Sequence, residues 1–184
     1  MTTTTAPRYD RVAVTLHWLM AVCIIGMILL GFFWEDIGQR DLKIFAINFH
    51  KSLGMTLLVL TLIRIYWRLR HRPPALPEAI PALERKAARA AHGLLYAFML
   101  AMPISGWLYV SALQKYPTVY FGLFTIPHIP MPVAGDALKP VKQFFYETHE
   151  LLSYGLIALL VLHVLAALKH HFFDKNDVLK RMLP

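Results

Sequence analysis

Residues 144–173 read FFYETHELLSYGLIALLVLHVLAALKHHFF. Apart from Glu147 and Glu150 near one end and Lys169 near the other, the stretch holds no acid, lysine or arginine. Thirty helical residues rise about 45 Å, more than the roughly 30 Å of a bilayer's hydrocarbon core, so the run reads as a membrane-spanning helix. Two of its polar residues are unusual in such a place: His149 and His163 stand fourteen positions apart. That spacing separates them by about 21 Å along a helix and only about 40° around it. One helix therefore presents two imidazoles on one face at two depths.

Working outward, three further apolar runs occupy 12–34, 44–67 and 87–113, each long enough to cross a membrane. With 57% of residues apolar and 16% charged, the chain is too hydrophobic for an ordinary soluble domain. The expected fold is all-α, a transmembrane four-helix bundle forming a single membrane domain over 1–184, with no room for a separate soluble catalytic domain. The first run follows Arg8 and Arg11 as a signal peptide would. It is longer than a signal h-region and ends in Gly31-Phe-Phe-Trp-Glu-Asp36 rather than a small-x-small cleavage site, so it is expected to stay in the mature protein. Cys23 is the single cysteine. That excludes a disulfide, an iron–sulfur ligand set and thioether attachment of haem, and leaves Cys23 as a small core residue.

A net charge of +8 would point to nucleic acid in a soluble protein. Here the charge sorts by side of the membrane. Arg8, Arg11, Arg64, Arg68, Arg70, Arg72, Arg85, Lys86, Arg89, Lys169, Lys175, Lys180 and Arg181 fall at one set of helix ends. The other set has only Arg40, Lys43, Lys51, Lys115, Lys139 and Lys142. By the positive-inside rule both termini are cytoplasmic, and the basic balance is a topology signal with no nucleic-acid partner implied. Pro73, Pro74, Pro77 and Pro81 make the cytoplasmic connector a semi-rigid spacer, after which 83–89 reads as an interfacial helix start. The outer connection, 111–143, holds Tyr116, Tyr120, Phe121, Phe124 and prolines at 117, 127, 130, 132 and 140. Loops this long are commonly functional, and aromatic ones lie at the membrane interface; it reads as a lid over the outer face.

The histidines carry the functional argument. His17, His50, His92, His149 and His163 all fall within the spans, where an ionisable group is costly and marks a functional site. Any one of them alone is as readily a ring bonded to nearby backbone or sitting among headgroups. Depth decides how several could pair. The fourth helix enters from outside, so His149 lies near the outer surface and His163 deeper. The second also enters from outside, which sets His50 level with His149. The first begins inside, which sets His17 level with His163. Two histidine pairs at two depths are what two bis-histidine haems need, and a bundle interior is where such cofactors are built. A flat porphyrin also needs clearance: one turn after these four histidines stand Ala21, Gly54, Ser153 and Ala167, whereas Tyr96 follows His92. This favours His17 over His92 as the partner of His163, although small residues are also common in membrane packing.

Other residues have two readings each. Arg64 either snorkels toward the interface or pairs with a haem propionate. Lys51 is either an interfacial lysine or a partner for an outer propionate or an anionic substrate. Pro103 with Gly106 is expected to kink the third helix, opening space for a cofactor or easing packing. His170, one heptad beyond His163, is either a satisfied surface histidine or a proton relay or quinone contact. With His92 and Arg89 it is a candidate for an inner quinone site. His71, His128 and His171 read as loop or surface residues.

Several pieces in order resemble the bacterial cytochrome b561 family of small four-helix dihaem membrane proteins. These are Leu16-His17-Trp18-Leu19, His50-Lys51-Ser52-Leu53-Gly54, Arg64 to Arg68, Pro73-Pro74, Ala88-Arg89-Ala90-Ala91-His92, Ser105-Gly106 and Val119-Tyr120-Phe121-Gly122. The resemblance continues through Ala167-Leu168-Lys169-His170-His171-Phe172-Phe173 to Leu179-Lys180-Arg181-Met182. It implies that two haem b groups are held by His17 with His163 and by His50 with His149. It also implies a bacterial inner-membrane location, electron exchange with quinone, and for one kind of member oxidation of superoxide at the outer face with reduction of ubiquinone.

The leading expectation is thus an oxidoreductase, with an outer-face donor such as superoxide and a membrane quinone as acceptor. Its rivals are a haem-bearing anchor subunit for a separate dehydrogenase or hydrogenase, a histidine-lined metal transporter, and a non-catalytic scaffold. A transport path is expected to carry mid-membrane acids, and the fourth helix has only Glu147 and Glu150, both near its outer end. The outer acids Glu35, Asp36, Asp41, Asp136, Glu147 and Glu150 match the outer lysines and arginines in number. Steering of an anion therefore depends on which side chains ring the outer haem.

Overall fold

The computed structural model describes residues 8–77 and 79–183. Four helices long and apolar enough to cross a membrane dominate it: α1 (Arg11–Phe33), α2 (Arg40–Arg70), α3 (Ala82–Leu113) and α4 (Leu138–Phe172). α2, α3 and α4 are longer than their apolar runs, while α1 matches its own in length. Asp10 caps α1 by accepting a hydrogen bond from the Ala13 amide, 2.9 Å. The start of α3 at Ala82 follows Pro81, and α4 begins at Leu138 with Pro140 in its first turn, where a missing N–H costs nothing. α3 runs helical through Pro103.

The helices pack in sequence order, α1 on α2, α2 on α3 and α3 most extensively on α4. Their shared core is Met20 and Ile24 of α1, Leu57 of α2, Leu95 of α3 and Leu156 of α4, with Cys23 packed against it as a small core residue. Large apolar side chains such as Val22, Val59, Leu94 and Leu162 are exposed, which suits helices whose outer faces meet acyl chains rather than water. α4 packs tightly on α3 at Gly155, where a Cβ would lie 2.6 Å from Cε1 of Phe98. Gly155→Ala would gain up to about 1 kcal/mol of helix propensity, but overpacking costs about 1–3 kcal/mol. The variant is expected to melt at a lower temperature in detergent. An unchanged or higher melting temperature would show that the Phe98 ring yields freely.

Both ends of the chain meet at one end of the bundle. The Tyr9 amide donates to the Arg181 carbonyl at 3.3 Å and Trp18 Nε1 to the Met182 carbonyl at 2.7 Å. Arg181 reaches the connector between α2 and α3 through the Ala75 carbonyl, 2.8 Å. Its guanidinium also holds the Asp177 carboxyl below its usual range by a direct hydrogen bond. This end is called the termini end below.

The opposite end departs from the all-helical expectation. Thr118–Tyr120 (β1) and Phe124–Ile126 (β2) pair antiparallel, with Thr118 opposite Ile126 and Tyr120 opposite Phe124. Phe121 and Gly122 at the turn both have positive φ, 45° and 80°, and the Leu123 amide closes the turn on the Tyr120 carbonyl at 2.9 Å. Two left-handed residues suit the right-handed twist of a hairpin, and glycine takes the second at no steric cost. The hairpin packs against α2 through β1.

Candidate functional site

At the hairpin end, His50 of α2 and His149 of α4 face each other with ring centroids 6.3 Å apart. They line a cavity of about 680 Å³ to which all four helices and the hairpin contribute. That volume lies in the usual range for cofactor pockets, roughly 300–1,000 Å³. Its walls are made thin by glycine. A Cβ on Gly106 would lie 3.1 Å from Cε1 of His149, and one on Gly31 would lie 3.7 Å from Cε1 of His50. The His149 ring is oriented from α3: Nδ1 donates to the Met102 carbonyl at 3.0 Å, with Ser105 Oγ at 3.0 Å from the same nitrogen. This leaves Nε2 with its lone pair free, the tautomer a metal-binding imidazole needs, held by a backbone partner as ligating histidines commonly are. Pro103 and Gly106 both line this cavity.

At the termini end, fourteen residues further along α4, three imidazoles meet. His163 lies 6.2 Å from His17 of α1 and 5.5 Å from His92 of α3, centroid to centroid. Arg64 of α2 points into this cluster instead of snorkelling. Its Nη2 donates to His17 Nδ1 at 3.0 Å and its Nε to the Tyr96 hydroxyl at 3.3 Å. Its Nη1 is buried without a hydrogen-bond partner among the described residues. A guanidinium cannot shed its charge, so an unpartnered buried N–H there calls for an anion. His92 Nδ1 donates to the Ala88 carbonyl one turn back, 2.7 Å, which leaves its Nε2 free. His17 Nδ1 instead accepts from Arg64, which puts the proton of a neutral ring on Nε2, so His17 could ligate iron through Nε2 only once Arg64 leaves its Nδ1.

These observations fit b-type haem at both stations. The hairpin-end cavity has the size and the facing imidazoles, and the termini-end cluster has facing imidazoles and an orphaned cationic donor suited to a haem carboxylate. The structure thus brings together every histidine that the depth argument paired, and it adds His92 as a close third at the termini-end level.

The remaining expectations are placed as follows. Lys51 lies at the cavity wall, but its Nζ is bound by the carbonyls of Tyr116 at 3.1 Å and Pro117 at 3.4 Å. His170 is turned away from the core: Nδ1 lies 2.7 Å from Asp174 and Nε2 3.8 Å from Glu84. Lys169 bridges the same two carboxylates at 2.8 and 3.1 Å, and its hydrogen bond, with that of His170, holds the Asp174 carboxyl below its usual range. The single ammonium offsets half of the charge of the acidic pair. His71 is an exposed ring stacked on Trp67. His128 and His171 are half-buried, each with one ring nitrogen lacking a hydrogen-bond partner among the described residues. Sequence reasoning missed the hydroxyl of Tyr96 and the Met102 carbonyl as orienting groups. Only the small Ser105-Gly106 pair on α3 hinted at the second.

Residues 8–184 match the family model described as prokaryotic cytochrome b561. The chain is 36% identical to cytochrome b561 homolog 2 of Escherichia coli (strain K12), over 98% of this chain and 94% of the relative. It is 29% identical to the probable superoxide oxidase CybB of Yersinia pestis, over 96% of both, and 28% identical to cytochrome b561 homolog 1 of Escherichia coli (strain K12), over 96% and 97%.

Proposed function

Because this chain belongs to the prokaryotic cytochrome b561 family, we propose that it holds two haem b groups, one between His50 and His149 and one between His17 and His163, and passes electrons from a donor at the hairpin end to membrane ubiquinone. At the coarser level it is a multi-pass inner-membrane haem protein with an electron-transfer role. We further propose that 1–184 forms one membrane domain with both termini in the cytoplasm. Basic residues gathered at the termini end support that orientation.

The observation that carries the reading is α4 itself, which offers one imidazole to a partner ring at each of two levels. A haem bound at each level supplies a one-electron iron couple that side chains lack. The chain's own part is positional. Helices fix both ligands of each pair, so little reorganisation accompanies a change of charge. The Met102 carbonyl keeps a proton on His149 Nδ1 and so keeps Nε2 available. Arg64 offers a buried positive charge to a carboxylate at the termini end. The hairpin-end cavity is lined mainly by apolar side chains.

Superoxide is the donor we take first, since one relative is named a probable superoxide oxidase. The charged residues lining the cavity are Glu35, Lys51 and Glu150. An anion approaching along these walls meets more negative than positive charge, so steering does not speed its encounter. The test is haem reduction in the purified protein under a steady superoxide source, with and without superoxide dismutase, followed by reoxidation with ubiquinone. Reduction should be suppressed by the dismutase, and its rate should not fall as ionic strength rises, because salt screens no net attraction here. Reduction insensitive to the dismutase would eliminate superoxide. Failure of ubiquinone to reoxidise the protein would point instead to an anchor subunit serving a separate dehydrogenase.

A further inference from the structure

No Asp, Glu, Lys or Arg occurs between Tyr116 and Gly135. Within that stretch the hairpin exposes large apolar side chains, with Leu123 78% and Phe124 57% exposed. In water such a surface would be a liability, and an isolated two-stranded hairpin would be marginal. Its level along the bundle gives the reason for both.

Two helices locate the hydrocarbon boundaries. Trp67 Nε1 donates to Asp10, the cap of α1, at 2.9 Å, so α1 and α2 leave the membrane together at the termini end. From Arg11, Gly31 is twenty residues on, about 30 Å, which spans the hydrocarbon core. Gly31 lies against His50, so the level of His50 is the opposite boundary. Ser52 is then about 3 Å and Thr56 about 9 Å inside it.

The hairpin is bonded to those two residues. Ser52, 1% exposed, accepts from the Phe121 amide at 3.1 Å and lies 3.2 Å from the Val119 carbonyl. The Tyr120 hydroxyl lies 3.0 Å from Thr56 Oγ1. Lys51 holds the carbonyls that lead into β1. The segment leaving β2 is tied to α3 by Trp107, which donates to the Pro127 carbonyl at 3.0 Å, and by Ser111, which accepts from the Ile129 amide at 2.9 Å. Irregular backbone at membrane depth is tolerated where the protein itself satisfies its polar groups. Helix side chains do so for Tyr116, Pro117, Val119, Phe121, Pro127 and Ile129, while β1 and β2 pair with each other.

We propose that the hairpin of residues 118–126 is a membrane-inserted element, set at and just inside the hydrocarbon boundary, with Leu123 and Phe124 packed against lipid acyl chains. It continues the lipid-facing surface of α2 and α3. Through buried Thr118 it also contributes to the wall of the hairpin-end cavity, so that part of the wall faces lipid and a water-borne donor must enter elsewhere.

The experiment uses the full haem-loaded chain in phosphatidylcholine vesicles. With Cys23→Ser removing the single thiol, Leu123→Cys and, separately, Phe124→Cys carry a nitroxide; Lys139→Cys, on a side chain 77% exposed, is the aqueous reference. Collision with oxygen, which concentrates in hydrocarbon, is compared with collision with a water-soluble nickel chelate. At both hairpin positions oxygen access should exceed chelate access, the reverse of the order at Lys139. Chelate access exceeding oxygen access at both would place the hairpin in water and overturn the proposal. Protection from both reagents would mean that protein, such as a second copy of this chain, covers it, which also overturns it. Using two labelled positions guards against one label displacing the turn.

Discussion

Replacing His149 with alanine is expected to halve the haem content of the purified protein, removing the hairpin-end haem and leaving the other. The two stations are about 21 Å apart along α4, with the Leu57, Leu95 and Leu156 core between them, so neither supports the other directly. His50→Ala should give the same result from the other side of the cavity. A backbone-adjacent change should mimic both. Gly106→Val places branched carbon where a single Cβ already comes within 3.1 Å of the His149 ring, and the ring has no slack because Met102 and Ser105 hold its Nδ1. The ring must swing away from His50, and the hairpin-end haem should be lost although both histidines remain. Ser105→Ala is the graded version, weakening haem retention by about 10–100-fold, as loss of a ligand's orienting partner generally does. Haem quantitation with low-temperature absorption spectra reads all four variants. Full retention of both haems in His149→Ala would remove the central claim about this station.

How much of this was legible in the sequence follows from which coordinates a helix fixes by itself. Rise per residue is nearly constant, so the depth of His17, His50, His149 and His163 followed from counting, and the two pairs meet at nearly equal centroid distances of 6.2 and 6.3 Å. Rotation of one helix against another is set by packing, such as the Gly155–Phe98 approach between α3 and α4, and counting does not give it. For that reason the nearness of His92 to His163 was not legible, although its depth was. The hairpin was hidden for a related reason. Its strands are three residues long, its turn lacks Asn-Gly or Asp-Gly, and its first left-handed residue is Phe121, an unfavourable choice. What stabilises it is Ser52, some seventy positions away, which reads in sequence as one more small residue in a membrane helix. Lys51, read as an interfacial lysine or as a partner for an outer propionate or anionic substrate, lies on the cavity wall bonded to the Tyr116 and Pro117 carbonyls, contacts that counting along a helix does not give.

The termini-end station supplies the second large effect. His17→Ala or His163→Ala is expected to remove the haem at that level, and His92→Ala to retain both haems, even though His92 lies closer to His163 than His17 does. The reason is the space beside each ring. One turn beyond His17 stands Ala21, whereas one turn beyond His92 stands Tyr96, whose hydroxyl is held by Arg64 Nε and whose ring lies under Arg68 at 5.7 Å. Tyr96 is thereby fixed in the place a flat macrocycle on His92 would need. Arg64 gives a reading that does not depend on haem loss. Its charge disfavours the oxidised, more positive state of a nearby iron centre, so Arg64→Gln should lower the midpoint potential at this station. Two charges roughly 8 Å apart at an effective dielectric constant near 20 interact by about 2 kcal/mol, which bounds the shift at tens of millivolts. Potentiometric titration should find that shift in one haem and not in the other. Loss of a haem in His92→Ala together with retention of both in His17→Ala would reverse the ligand assignment, and an unshifted potential in Arg64→Gln would detach Arg64 from the site.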